Sequence, residues 1–436
     1  MLTNLGLQQN FQVGSDYRDL YISSDSPKQI LGISEGKYAP SQVSASAPDE
    51  PVLLNTATAF LQGLYPPLDS FYRSIASQTL NNGTEYTNPL HGYQYIVLHG
   101  EEEESPDTIW IKGDDECPAL TKAVDTFPGS TVYQERLEST RSFYHGFWPI
   151  LKNVYDLTED DMSYDNAFTI FDLINVGSIH NTSMKDAVTS DQLFQLRTLA
   201  DSYEFDANYN ASQPDRSIGA KTVNHAILSH LNETVTSKGG VKFSVLAGSY
   251  DTMLAFFGLN QLTAASPNFY GLPGYASTMA FEILTEDDVS EFPSDTDSLM
   301  VRFLFRNGSD AGAPLTPFPM FGGSEMTLSW SDFKAEMQSR SISTVAGWCD
   351  TCRSTQNFCL TATGGDITSA KGVTETQSKH GMSKAVAGVI GALVTLGIVC
   401  IVAAVAFILR KRTCAVPVVT GPSAVEKGSA SSSIRD

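Results

Sequence analysis

The stretch PDEPVLLNTATAFLQGLYPP, residues 48–67, joins a turn to a helix. Pro48-Asp49-Glu50-Pro51 turns the chain. The apolar run 52–64 predicts a helix that ends at Gly63 and is stopped by Pro66 and Pro67. Just before it, QVSASA (42–47) alternates with the period of a short strand. Before that, LTNLGLQQNFQVGSDYRDL (2–20) sets Leu5, Phe11, Val13, Tyr17 and Leu20 at helical spacing, with Thr3 or Asn4 available as the cap.

Further along, 127–157, 165–176, 191–203 and 216–237 space their apolar residues as helices, while 91–112 reads as more extended. Glu101 to Glu104 is a run of four acids, expected in a solvated loop. His225 and His230 are five residues apart and point to different helix faces, so they do not predict a metal pair.

Taken in order, these blocks resemble the histidine acid phosphatases, branch 2 of the histidine phosphatase superfamily, which also holds phytases. In that family a helix of the form L-T-x-x-G-x-x-Q precedes a strand ending in Arg, and a later helix ends in A-F-L-x-G-L-x-P-P. AFLQGLYPP (59–67) is similar to that end. KFSVLAGSYDTMLAFFGLNQL (242–262) resembles the strand that leads through a His-Asp pair into a helix. YASTMAFEIL (275–284) and VRFLFRNG (301–308) resemble the paired strands that follow. The resemblance covers most of 1–345. It implies an α/β fold with a mostly parallel sheet flanked by helices. Residues 1–66 and 207–345 would form the α/β domain, and 67–206 an inserted, mostly helical cap.

The resemblance also implies a chemistry, phosphomonoester hydrolysis through a phosphohistidine, with no cofactor and no metal. That reaction needs a His nucleophile, arginines that grip the phosphoryl oxygens, and an acid for the leaving alkoxide. The family's R-H-G-x-R-x-P segment, upstream of the first helix, does not occur here. His145-Gly146 lacks both flanking arginines and falls in the cap. An ungapped count from Ala59 puts Ser46 where the family has its strand-end Arg. Tyr250 replaces the His of the His-Asp pair, and Asp251 is kept as the candidate proton donor or as a helix cap. The expectation is an impaired phosphatase that acts by binding or in a surface role, with a phosphomonoester as the candidate ligand. The alternative is an active acid phosphatase whose R-H-G-x-R-x-P strand lies outside this sequence.

The C-terminal part sets the topology. AVAGVIGALVTLGIVCIVAAVAFIL, Ala385 to Leu409, carries no charge and is followed by Arg410, Lys411 and Arg412. It predicts one transmembrane helix with its basic end in the cytoplasm, hence a single-pass protein with 1–384 extracellular or lumenal and a cytoplasmic tail at 410–436. Five sequons, at Asn82, Asn181, Asn210, Asn232 and Asn307, fall on the outer side. So do Cys117, Cys349, Cys352 and Cys359, which permit two disulfides in any of three pairings. Residues 346–384 read as a Cys-containing stalk and flexible tether. Met1 to Gln9 does not read as a signal peptide, and the expectation is that the natural N-terminus lies upstream. Ser383, Ala387, Gly391 and Thr395 form a small-residue stripe that would let the span self-associate. The formal charge is −21. The tail's five basic and two acidic residues contribute a net +3, so the outer part is strongly acidic and nucleic acid is excluded as a partner.

Overall fold

The computed structural model describes residues 2–362 apart from 69–72, 155–156 and 287. The span at 385–409, its small-residue stripe and the tail lie outside the described residues. Among the described residues, no helix is long and apolar enough to cross a membrane.

The two opening helices form as the spacing predicts. Helix α1 is Asn4–Tyr21, and the Thr3 hydroxyl accepts from the Gly6 N–H at 3.1 Å. Helix α2 is Pro51–Leu64, with Pro51 at its first position. Gly63 lies inside α2 and does not mark its end. Its task is contact. A Cβ on Gly63 would sit 2.1 Å from the Phe11 carbonyl oxygen, and one on Gly14 would sit 2.0 Å from that of Phe60. Two glycines facing each other thus let the backbones of α1 and α2 touch.

The strands in chain order are β1 (Val43–Pro48), β2 (Ser77–Thr79), β3 (Glu85–Thr87), β4 (His99–Glu101), β5 (Phe243–Leu246), β6 (Thr278–Leu284), β7 (Met300–Arg306), β8 (Thr316–Pro317) and β9 (Leu328–Ser329). β1 is the centre of a parallel sheet in the order β4-β1-β5, with Ser46 opposite His99 and Leu246. β6, β7, β8 and β9 form a separate antiparallel sheet, and β2 pairs only with β3. The single, mostly parallel sheet expected from the sequence is therefore two sheets. β5 pairs on one side with β1, β6 pairs on one side with β7, and no described strand joins them. Nor is 67–206 wholly a cap, because β4 belongs to the central sheet.

Helices α3 (Thr131–His145), α4 (Ala167–His180) and α5 (Ser190–Asn208) build the helical part. Helices α6 (Ile218–Thr236), α7 (Tyr250–Leu259) and α8 (Trp330–Ser339) cover the sheets. One core runs through them, from Tyr133 and Tyr144 to Phe256, Phe303 and Phe333.

The segment from 346, read as a stalk, continues the folded unit through α9 (Val345–Cys352) and α10 (Asn357–Ala362). Trp348 is buried, and its indole N–H donates to the Gly113 carbonyl at 2.8 Å. Of the three pairings, the structure has Cys117–Cys352 and Cys349–Cys359.

Candidate functional site

β5 ends at Leu246, and Ala247-Gly248-Ser249 lead into α7. Tyr250 and Asp251 therefore stand together at the head of that helix. Asp251 Oδ1 accepts from the Thr252 N–H at 2.8 Å and from the Ser249 hydroxyl. It satisfies one of the helix's free N–H groups and places negative charge at the positive end of the helix. The Tyr250 ring lies against Phe168 with centroids 4.8 Å apart, and its hydroxyl bonds to Glu204 of α5. Burial, then the Glu204 and Asp251 carboxylates, push the phenol's pKa far up, so it stays protonated.

Two further carboxyls, unmarked by any motif, complete the cluster. Glu204 is pushed up to about 7, first by burial and then by Asp251, against the opposing hydrogen bonds from Tyr250 and Asn208. Asp114 is also pushed up to about 7, by burial, then by Asp251 and Asp115. Its Oδ1 is buried without a hydrogen-bond partner. Lys112 opposes this, but it is already engaged by Glu50 and by Asp115 at 2.5 Å. Among the described residues, none of Asp114, Glu204 and Asp251 forms an ion pair with a lysine or arginine.

Ser46 stands on β1, and its hydroxyl bonds to Glu101 on the neighbouring β4. Burial raises the Glu101 pKa and the Ser46 bond lowers it. Glu101 is thus tied into the sheet edge, while Glu102, Glu103 and Glu104 are exposed, as a solvated run should be. His145 ends α3, with Nδ1 3.9 Å from Glu159 and well away from α7 in sequence. His225 packs on Trp110. Among the described residues, no group of three His, Cys, Asp or Glu side chains could hold a metal ion.

Beside this cluster opens a cleft of about 1610 Å³, lined by Tyr250, Ser249 and the facing edges of β5 and β6. Ser46, Glu204 and Asp251 are not in its lining. The structure thus groups Tyr250 and Asp251 with Glu204 and Asp114 at one end of the cleft, and Ser46 with Glu101 in the sheet.

The raised carboxyls make stability depend on pH. A carboxyl whose pKa is higher folded than unfolded binds protons more tightly in the native state, so stability falls as pH rises from about 4.5 through about 7. The wild-type protein should be stabler at pH 5 than at pH 7.5, by about 2 kcal/mol from Glu204. Glu204→Gln should reduce that slope in thermal melts across the same range, leaving the part that Asp114 contributes. An unchanged slope would place the titration elsewhere.

Solved structures share the fold. The apo form of the Hafnia alvei phytase aligns with a TM-score of 0.52 at 13% identity, over 80% of this chain and 88% of its own. The phytase of Klebsiella sp. ASR1 aligns with a TM-score of 0.50 at 12% identity, over 78% of this chain and 86% of its own. No family model matches the chain, and no curated protein matches it. At such identities the likeness is one of fold: the chain has an α/β fold similar to that of these phytases.

Proposed function

We propose that this is a membrane-anchored surface glycoprotein with a histidine acid phosphatase-like outer domain that is impaired as a catalyst and works by binding. The observation that carries this reading is the carboxyl cluster of Asp114, Glu204 and Asp251, none of which forms an ion pair with a lysine or arginine among the described residues. A phosphomonoester dianion brought to Tyr250 would meet these acids where the reaction needs arginines. The uncharged run 385–409 and the basic residues after it support the anchor, and exposed Asn82, Asn181 and Asn307 support glycosylation.

The second reading is an active phosphomonoesterase in which further cations reach the cleft. Asp251 at the head of α7 favours it, since the resemblance gives that position the proton donor's role. The two readings part on turnover of p-nitrophenyl phosphate by the full chain. The binding reading expects a rate no higher than buffer. Vanadate-sensitive turnover that disappears in Asp251→Asn would overturn it.

A further inference from the structure

The hairpin of β2 and β3 carries one of the sequons at its tip. The Leu80 N–H donates to the Thr84 carbonyl at 2.8 Å, and the Gly83 N–H donates to the Leu80 carbonyl at 2.9 Å. Gly83 has a φ of 82°, a left-handed value that glycine adopts without strain. These bonds make Asn81-Asn82-Gly83 a three-residue connection in which a type I turn passes into a glycine bulge. Asn82 Oδ1 accepts the Thr84 N–H at 3.0 Å, an Asx turn that fixes the amide at the end of the hairpin. The Asn and the Thr of the sequon are thus held in one turn, and both are exposed.

Register decides which side chains stand beside that turn. Gln78 pairs with Tyr86 and Thr79 with Glu85, so Leu80 comes opposite Thr84. Alternation then places Gln78, Leu80, Thr84 and Tyr86 on one face. Leu80 is 40% exposed and Tyr86 60%. β2 pairs only with β3, and a two-stranded hairpin by itself is marginal in water. A sugar ring suits such a face, because it offers C–H groups to apolar side chains and hydroxyls to water. A sugar tethered at Asn82 would also meet the face at a high effective concentration. The other sequons sit differently. Asn181 and Asn210 follow helices α4 and α5, Asn232 lies inside α6, and Asn307 is tied to the Gly274 N–H at 2.8 Å.

We propose that Asn82 carries an N-linked glycan whose first sugar lays its C–H face on Leu80 and the Thr84 methyl, with Tyr86 beside it, and so holds the hairpin closed. In the attachment step, Asn82 Nδ2 bonds to C1 of a sugar on a lipid-linked diphosphate donor. The C1–O bond to the donor breaks, the diphosphate leaves with the electron pair, and Nδ2 gives up one proton. The proposal rests on the glycoprotein reading above and adds to it a site and a task for the sugar.

The test uses the full chain expressed in a glycosylating eukaryotic cell line. Peptide mass spectrometry should find sugar on Asn82 in most copies. No sugar at any of the five sequons would overturn the glycoprotein reading and the proposal together. Sugar at other sequons with Asn82 bare would overturn the proposal alone. Hydrogen exchange reads the sugar's task. Peptide N-glycosidase removes the sugar and leaves an aspartate, whose carboxylate still accepts the Thr84 N–H. The Leu80 and Gly83 amides should exchange about fivefold faster after that removal. An endoglycosidase that spares the first sugar should leave them protected. Leu80→Ser keeps the sequon, and in that variant removal of the sugar should change the rates by less than about twofold. Equal rates with and without the sugar in the wild type, or an undiminished effect in Leu80→Ser, would overturn the proposal.

Discussion

Cys117→Ser should lower the unfolding free energy by about 4–5 kcal/mol, while Cys349→Ser should cost only about 2.5–3 kcal/mol. The difference comes from the loops. Cys117–Cys352 closes a sequence separation of 235 residues, and Cys349–Cys359 closes one of 10. In the chain-entropy account, a crosslink that restrains a longer unfolded loop stabilises more. The long bridge also holds α9 to the part of the chain around Cys117, where Trp348 and Ile109 are buried together. A domain with an ordinary stability of about 5–15 kcal/mol would lose much of it. Urea unfolding of the two variants beside the oxidised wild type gives the comparison. Equal losses would mean that local packing, not loop closure, sets the effect.

Gly63→Ala should cost about 3 kcal/mol, a large effect for one methyl group. The added carbon would lie 2.1 Å from the Phe11 carbonyl oxygen and 2.7 Å from the Ser15 nitrogen. Both are backbone atoms of α1, so the helices must separate for the methyl to fit, and overpacking of this kind typically costs about 1–3 kcal/mol. α1 also anchors the second sheet, through Tyr17 to Thr278 at 2.7 Å and Asp16 to Arg306 at 2.6 Å. Separation of α1 from α2 would therefore disturb both sheets. Gly129→Ala is the control, because nothing lies within 4 Å of its added carbon. It should change stability by no more than about 0.5 kcal/mol. Thermal melts of both variants decide this, and a Gly63→Ala protein as stable as the control would contradict the crossing.

Local pattern made much of this fold legible. The helical spacing of Leu5 to Leu20, the alternation of 42–47 and the apolar run after Pro51 give α1, β1 and α2 within a few residues of their observed ends. The paired strands β6 and β7 were expected from the family resemblance, and they do pair. β4 was not, because three residues carry too little periodicity. Nor was the split of the sheet, since strand order depends on contacts far apart in sequence. Gly63 looked like a stop signal because the residue type marks both helix ends and close crossings, and only the partner helix tells them apart. The disulfide pairing needed the fold as well, because spacing alone leaves three pairings open.

The candidate site divides in the same way. The resemblance located Tyr250 and Asp251, and the structure sets them side by side at the head of α7. Glu204 and Asp114 were invisible. A glutamate within a helix and an aspartate in an acidic loop read as solvated until burial and a neighbouring carboxylate set them apart. Ser46 was picked as a missing arginine, and its observed partner is Glu101.

The central claim is that the carboxyl cluster at the head of α7 leaves no place for a phosphoryl group. Orthovanadate tests it without requiring a nucleophile, because it imitates the charge and shape of a phosphoryl group. Isothermal titration of the full chain with orthovanadate at pH 7.5, above the raised pKa of Glu204, should show no saturable heat. Saturable binding that weakens in Asp251→Asn would contradict the account and return the cleft to phosphate chemistry.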